Sequence, residues 1–250
     1  MVHRRFFVPK SNIYNEEAKI TDEVDINHIK KVLRLRREDK VILLDGEGKE
    51  YKAILSSPTS HQEMRLRLVN PPIIHPRPEI EFTLIQGLPK NPKMEFIIQK
   101  TTEMGITRII PLATSRSISI PKDERRPFIR WQKIAREAAS QCGRAYLPLI
   151  EGPLTWGKFL NDYSLTQGHL SLLLWEEDCK RLRDVLRVLS PLIERVDLFV
   201  GPEGGFTQRE VFELHRKGVI PCSLGPQLLR TETASIVALS IILYKLGLVG

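Results

Sequence analysis

Apolar and polar positions alternate with two different periods along the chain, and the change of period falls near residue 70. Before it, Tyr51, Ala53 and Leu55 alternate with Lys52 and Ile54, and Met64, Leu66 and Leu68 alternate with Arg65 and Arg67. That period of two marks half-buried strands. Asp45-Gly46-Glu47-Gly48 supplies a turn between two such strands. One short helix is expected over Asn27–Leu35, with Asn27 as its cap and Ile29, Val32 and Leu33 sharing a face. Its polar side carries Lys30, Lys31, Arg34 and Arg36.

Asn70-Pro71-Pro72 and His75-Pro76-Arg77-Pro78 form a proline-stiffened connection, so a boundary is placed between a β-rich domain at residues 1–72 and a second domain at 78–250. Strand and helix patterns then alternate. Strands are expected at Glu81–Ile85, Arg108–Leu112, Leu170–Trp175 and Val196–Val200, and helices at Pro92–Met104, Pro127–Cys142 and, after the lead-in Pro221–Leu224, from Thr231 onward. Thr207-Gln208-Arg209-Glu210 reads as a capping box opening one more helix. Such alternation makes the second domain α/β with a mainly parallel sheet. The longest apolar run, Ile236 to Val249, is broken by Ser240 and Lys245 and falls short of a membrane span, so it is read as a buried helix.

Charge adds a partner class. The 250 residues carry 38 Lys and Arg against 30 Asp and Glu, a formal net charge of +8, which favours a polyanion such as nucleic acid. The three cysteines are far apart and the six histidines are scattered, so neither a disulfide framework nor a metal site is expected. The basic start has an apolar run of only Phe6-Phe7-Val8 before Pro9, too short for a signal segment, so a cytoplasmic protein is expected.

In an open parallel sheet, ligands bind beyond the C-terminal strand ends. Three loops qualify: the acidic Glu176-Glu177-Asp178, the glycine-rich Gly201-Pro202-Glu203-Gly204-Gly205-Phe206, and Leu224–Ala234, which runs into a helix N-terminus. The second loop is neither a phosphate-binding P-loop nor a G-x-G-x-x-G dinucleotide turn, which argues against a nucleotide-dependent kinase.

These loops, together with Arg4-Arg5-Phe6-Phe7-Val8, His28 with Val32-Leu33-Arg34, Gln86-Gly87-Leu88-Pro89-Lys90, Gln99-Lys100 with Glu103-Met104-Gly105, and Glu137-Ala138-Ala139 with Gln141 and Arg144, run nearly end to end. In them the sequence resembles the RsmE family of small-subunit ribosomal RNA uridine-N3 methyltransferases, of the SPOUT superfamily. Thr102, Met104, Cys142 and Gln227 depart from its usual residues without touching the activity class. The resemblance implies an N-terminal PUA-like β-barrel that binds RNA, a SPOUT-type α/β domain with a C-terminal trefoil knot, and a homodimer formed through the knotted domain. It implies S-adenosylmethionine (SAM) as cofactor and 16S ribosomal RNA, free or in the small subunit, as substrate.

For SAM, the resemblance points to Glu176, Val200, Gly201, Pro202, Gly205, Leu224, Gly225, Leu229, Thr233 and Ala234. Uracil N3 is protonated at neutral pH, so a base or stabilisation of a developing anion is needed. Arg230 is the candidate for stabilising a uracil oxygen or holding a phosphate, or else it bridges its loop. Glu203 and Glu232 are candidate bases, and Lys100 a catalytic cation by superfamily analogy, although Lys100 and Glu103 also sit at surface-pair spacing. Arg4, Arg5, Arg34, Lys90, Lys93, Arg136 and Arg144 are the candidate RNA contacts. The competing reading is a non-catalytic RNA-binding protein that keeps the PUA-like domain.

Overall fold

The computed structural model describes residues 4–56, 63–90, 92–117, 125–177, 179–188 and 192–250. Asp178 of the acidic loop lies outside the described residues. The chain forms two compact units, Met1–Arg77 with Arg136–Leu147, and Pro78–Ala135 with Pro148–Gly250. The N-terminal stretch therefore takes in a later segment, which the sequence assigned to the second domain.

In the first unit, β1 (Arg5–Phe7), β2 (Ile13–Tyr14), β3 (Glu17–Ile20), β4 (Lys40–Leu44), β5 (Lys49–Leu55), β6 (Met64–Leu68) and β7 (Ile73–Ile74) make one sheet in the order β1-β4-β5-β6-β3-β2, with β7 on β5. The alternating residues face one way as expected: Tyr51, Ala53, Leu55, Met64 and Leu66 are buried with Phe6, Val41 and Leu43. Asp45 closes the β4–β5 turn by accepting from the backbone of Glu47 and Lys49 at 2.8 and 3.0 Å. Phe7 and Leu44 form a small satellite core with Ala139 and Ala145, and the backbone of Gly46 meets that of Tyr146 in an isolated bridge.

The expected helix over Asn27–Leu35 is corrected in start and pitch. Helix α1 is Glu23–Asn27, capped by Asp22, whose carboxylate accepts from Val24 N at 2.8 Å. Asp22 precedes Asn27 by more than a turn and satisfies first-turn donors itself, so Asn27 lies inside the helix. The next turn, His28–Val32, is π-helical, with Leu33 N donating to His28 O at 2.9 Å. The wider turn breaks the 3.6-residue register, leaving Ile29 buried but Val32 67% exposed.

In the second unit, β8 (Glu81–Gly87), β9 (Arg108–Ala113), β10 (Leu149–Ile150), β11 (Leu154–Thr155), β12 (His169–Leu174), β13 (Lys180–Arg181), β14 (Arg195–Val200) and β15 (Ile220–Ser223) make a second sheet in the order β10-β9-β8-β14-β12-β15-β13, with β11 on β9. Every pairing in it is parallel. Helices α2 (Lys93–Glu103), α3 (Arg125–Cys142), α4 (Trp156–Asp162), α5 (Leu182–Val185), α6 (Gln208–Arg216) and α7 (Thr231–Lys245) connect and cover it. The central strands β8 and β14 are buried nearly throughout, as continuous apolar runs in a two-sided parallel sheet must be. The capping box at Thr207 and Glu210 forms as read.

Polar side chains are buried within that core as well. His169 Nε2 lies 2.9 Å from the Asp197 carboxylate, both side chains being 1% exposed, and the Tyr163 hydroxyl bonds Ser171 at 2.6 Å. Burial, reinforced by Asp197, pushes the Tyr163 phenol well above its ordinary pKa.

The expectation of a wholly buried helix from Ile236 is corrected. Helix α7 ends at Lys245 and buries one face, Ala238, Leu239, Ile242 and Leu243, in the core it shares with Met94, Ile97 and Ile98 of α2. Ile241, Tyr244, Leu248 and Val249 are exposed. Among the described residues no helix is long and apolar enough to cross a membrane, and none of their His, Cys, Asp and Glu side chains group so as to hold a metal. Cys222 is buried in the core, which pushes its thiol up to about 12.

Candidate active site

The C-terminal ends of β12, β14 and β15 surround a cavity of about 450 Å³. Its walls are the three loops singled out in the sequence. Glu176 follows β12; Val200, Gly201, Pro202, Glu203 and Gly205 come from the β14 loop; Leu224, Gly225, Leu229, Arg230 and Ala234 come from the segment entering α7. Lys93, at the start of α2, also lines it.

The glycine-rich loop is short because it turns tightly, with Gly205 N donating to Pro202 O at 2.9 Å. Gly205 has φ +68, a left-handed backbone, and a Cβ there would stand 3.3 Å from a Glu176 carboxylate oxygen. Phe206 plugs the base of the loop, fully buried against Trp156 and its neighbours. From the far side Arg116 donates to Gly204 O at 2.7 Å and Phe206 O at 3.1 Å. Arg116 carried no motif in the sequence, and only its place after β9 reveals the clamp.

Two carboxylates converge on the Lys93 ammonium at the mouth. Lys93 Nζ lies 3.1 Å from Glu203 and 3.4 Å from Glu232. The hydrogen bond to Glu203 is the main cause of a raised Lys93 pKa. Burial opposes the charge on Glu203, but backbone N–H donors, including that of Lys90, and the Lys93 ammonium outweigh it and hold its carboxyl below the usual range. Arg230 is exposed at the N-cap of α7, makes no side-chain capping bond, and among the described residues forms no ion pair.

Other site candidates fall elsewhere. Thr233 is exposed and does not line the cavity; the helix starts at Thr231, so Thr231 and Ala234 face inward and Thr233 points away. Lys100 stands about two turns along α2 from Lys93, off the cavity wall, with its ammonium 2.9 Å from Glu103. Lys90 is exposed beside the loop. In the first unit, Arg4 is exposed, 3.7 Å from Asp39, and Arg34 is exposed in a left-handed backbone at φ 49. Arg5 is half-buried. Arg136 spends its guanidinium on Phe7 O, Asp25 at 2.9 Å and Asp22 at 3.6 Å. Arg144 is half-buried, and desolvation lowers its pKa.

Residues 76–243 match the RNA methyltransferase domain family, and residues 20–68 match the RNA methyltransferase PUA domain family. The chain is 32% identical over 97% of its length, and 96% of the relative's, to the ribosomal RNA small subunit methyltransferase E of Bacillus subtilis (strain 168). The chain belongs to the ribosomal RNA small subunit methyltransferase E family. A second relative with that name, from Synechocystis, is 34% identical over 96% of this chain and 77% of its own.

Solved structures share the fold over nearly the whole chain. A putative methyltransferase from Legionella pneumophila, in complex with SAM, is 29% identical with a TM-score of 0.85 over 98% of each chain. The methyltransferase E of Neisseria gonorrhoeae, bound to SAM, is 25% identical with a TM-score of 0.83 over 97% of this chain and 98% of that one. The two units are thus the PUA-like barrel and the SPOUT-type α/β domain of a methyltransferase E.

Proposed function

We propose that the protein transfers a methyl group from SAM to N3 of a uridine in 16S ribosomal RNA, in the cytoplasm, as a homodimer formed through the α/β domain. The carrying observation is the cavity: a volume of about 450 Å³, three strand-end loops, and the carboxylates of Glu176 and Glu203 in its wall. Volume and lining fit the cofactor. Pockets for ligands of this size run to about 300–1,000 Å³ and combine apolar walls with a few polar groups. Glu176 offers a carboxylate to ribose hydroxyls, and the close approach at Gly205 leaves main chain free to meet the adenosine. Val200, Gly201, Pro202, Leu224, Gly225, Leu229 and Ala234 supply the remaining surface.

When bound, SAM supplies an electrophilic methyl on a sulfonium. The chain supplies alignment and charge. Loss of the N3 proton to a base would place negative charge on the uracil ring nitrogen and its two carbonyl oxygens, and transfer of the sulfonium methyl to N3 would consume that charge. Arg230, unpaired and at the mouth, stabilises that charge. Glu203 is a poor proton acceptor, since its carboxyl is held low and spent on Lys93 and the Lys90 backbone. Glu232, beside the cavity and paired with Lys93, is the remaining candidate for the base.

Phosphates are met by Arg4, Arg34 and Lys90, the exposed members of the candidate set. Arg5, Arg136 and Arg144 serve the inside of the first unit instead. A non-catalytic RNA-binding role is disfavoured because it leaves the cavity and its converging charges without a purpose.

Calorimetry with SAM, followed by mass spectrometry of 16S RNA incubated with protein and SAM, tests the reading. Saturable SAM binding and one new 3-methyluridine are expected. Binding of RNA without SAM binding or methylation would overturn it.

A further inference from the structure

Gln86 is the last residue but one of β8, polar, and completely buried in the middle of the sheet. Its amide nitrogen lies 2.9 Å from Gly87 O, 3.3 Å from Val200 O, 3.3 Å from Gly201 O and 2.9 Å from Thr231 Oγ1. Its amide oxygen accepts from Ser235 Oγ at 2.8 Å. Two amide protons face four oxygens, so they are shared. Thr231 in turn donates its hydroxyl proton to Gly201 O. One side chain therefore joins the end of β8, the start of the glycine-rich loop and the first turn of α7, across 115 to 149 residues of sequence.

The loops it joins are the two main walls of the cavity. Gly201, Thr231 and Ala234 line it, while Gln86 is not among the lining residues. The approach is already as close as it can be: a Cβ on Gly87 would lie 2.5 Å from Pro202 Cδ and 2.8 Å from Pro202 N. That contact brings β8 against the glycine-rich loop but does not include the start of α7. Hydrogen bonds to Gly201 O and Thr231 Oγ1 are directional and set one position.

We propose that Gln86, with Thr231 and Ser235, is a positioning latch that fixes the separation of the two cofactor-binding loops before SAM arrives. The inference rests on the proposed SAM site. The chemistry selects glutamine. Glutamate lacks the donors and would set a carboxylate against the Val200 and Gly201 carbonyls; leucine fills the space but removes the link, leaving Thr231 bonded to Gly201 O and Ser235 to Thr231 O with neither tied to the end of β8.

The test measures amide hydrogen exchange in the SAM-free protein and SAM affinity by calorimetry, for wild type, Gln86→Leu, Thr231→Val, the double variant and Thr231→Ser. In Gln86→Leu, exchange is expected to quicken over residues 201–206 and 224–232 while β9 and β12 stay protected, with SAM affinity down about tenfold or more. Thr231→Val reproduces this in weaker form, the double variant loses less than the sum of the two, and Thr231→Ser stays near wild type. Unchanged loop exchange in a folded Gln86→Leu overturns the latch, as do additive losses in the double variant. Uniformly faster exchange across the sheet also overturns it, because it marks a general core residue. If Gln86→Leu does not fold, loop exchange in SAM-free Thr231→Val against Thr231→Ser decides, because Thr231 also lines the cavity and its effect on SAM affinity is not specific to the latch. Wild type that binds no SAM refutes the cofactor reading, while the exchange pattern still decides the latch.

Discussion

Gly205→Ala separates two consequences of one methyl group. The residue sits at φ +68, where an L side chain costs about 1–2 kcal/mol. That strain is present with or without ligand, so it cancels from the binding constant and acts on stability. For an α/β domain of this size it lowers Tm by roughly 2–8 °C. The new Cβ also stands 3.3 Å from a Glu176 carboxylate oxygen and 3.8 Å from the other, so the carboxylate must give way by a few tenths of an ångström. If Glu176 holds the ribose hydroxyls, a displaced charge-assisted bond costs about 1.5 kcal/mol, a roughly tenfold loss of SAM affinity. Calorimetry and thermal melting read the two effects separately, and Glu176→Ala isolates the second. In the Glu176→Ala background, Gly205→Ala should still lower Tm but no longer weaken SAM. An equal further loss of affinity there would refute the assignment of Glu176, and an unchanged Tm would refute the strain.

Arg230→Ala should slow single-turnover methyl transfer about 10²–10³-fold with SAM and RNA saturating, while SAM affinity stays within a few fold; a wild-type rate under those conditions removes Arg230 from the chemistry. RNA affinity should fall steeply as salt rises while SAM affinity barely changes, and equal salt sensitivity in parallel titrations would count against phosphate contacts by Arg4, Arg34 and Lys90. Because the folded-state pKa of Glu203 is depressed, its pairing with Lys93 stabilises the protein fully above the unfolded carboxylate range near ~4.3. That contribution fades as pH falls through the lower folded value, so the Tm gap between wild type and Glu203→Gln should close in acid; a gap that widens there means the sign is wrong.

Much of the scaffold was legible because it is written in short-range periods. Tyr51, Ala53 and Leu55 had to face one way, and the runs at β8 and β14 had to be buried on both sides, whatever else the chain did. Thr207 and Glu210 satisfy each other three residues apart, so their capping box needed no tertiary information. The three strand-end loops were identifiable for a related reason: parallel order follows from strand–helix alternation, and it puts every C-terminal strand end on one side.

What local pattern left undecided is where a helix begins and what lies across from it. Asn27 and Asp22 are both good caps, and only the backbone shows that Asp22 takes the donors and that a π-turn follows. Thr231 and Thr233 are chemically alike, but a helix starting at Thr231 turns one into the wall and the other to solvent. Arg136 and Arg4 read alike as cations, and only tertiary contacts with Phe7, Asp22 and Asp25 show that Arg136 is already engaged. Lys93 faces Glu203 and Glu232 only because the start of α2, the β14 loop and the start of α7 meet at one mouth. Gln86 is the extreme case. Its partners lie up to 149 residues away, so no window along the sequence contains them, and the fold alone turns an ordinary polar residue into the link between two loops.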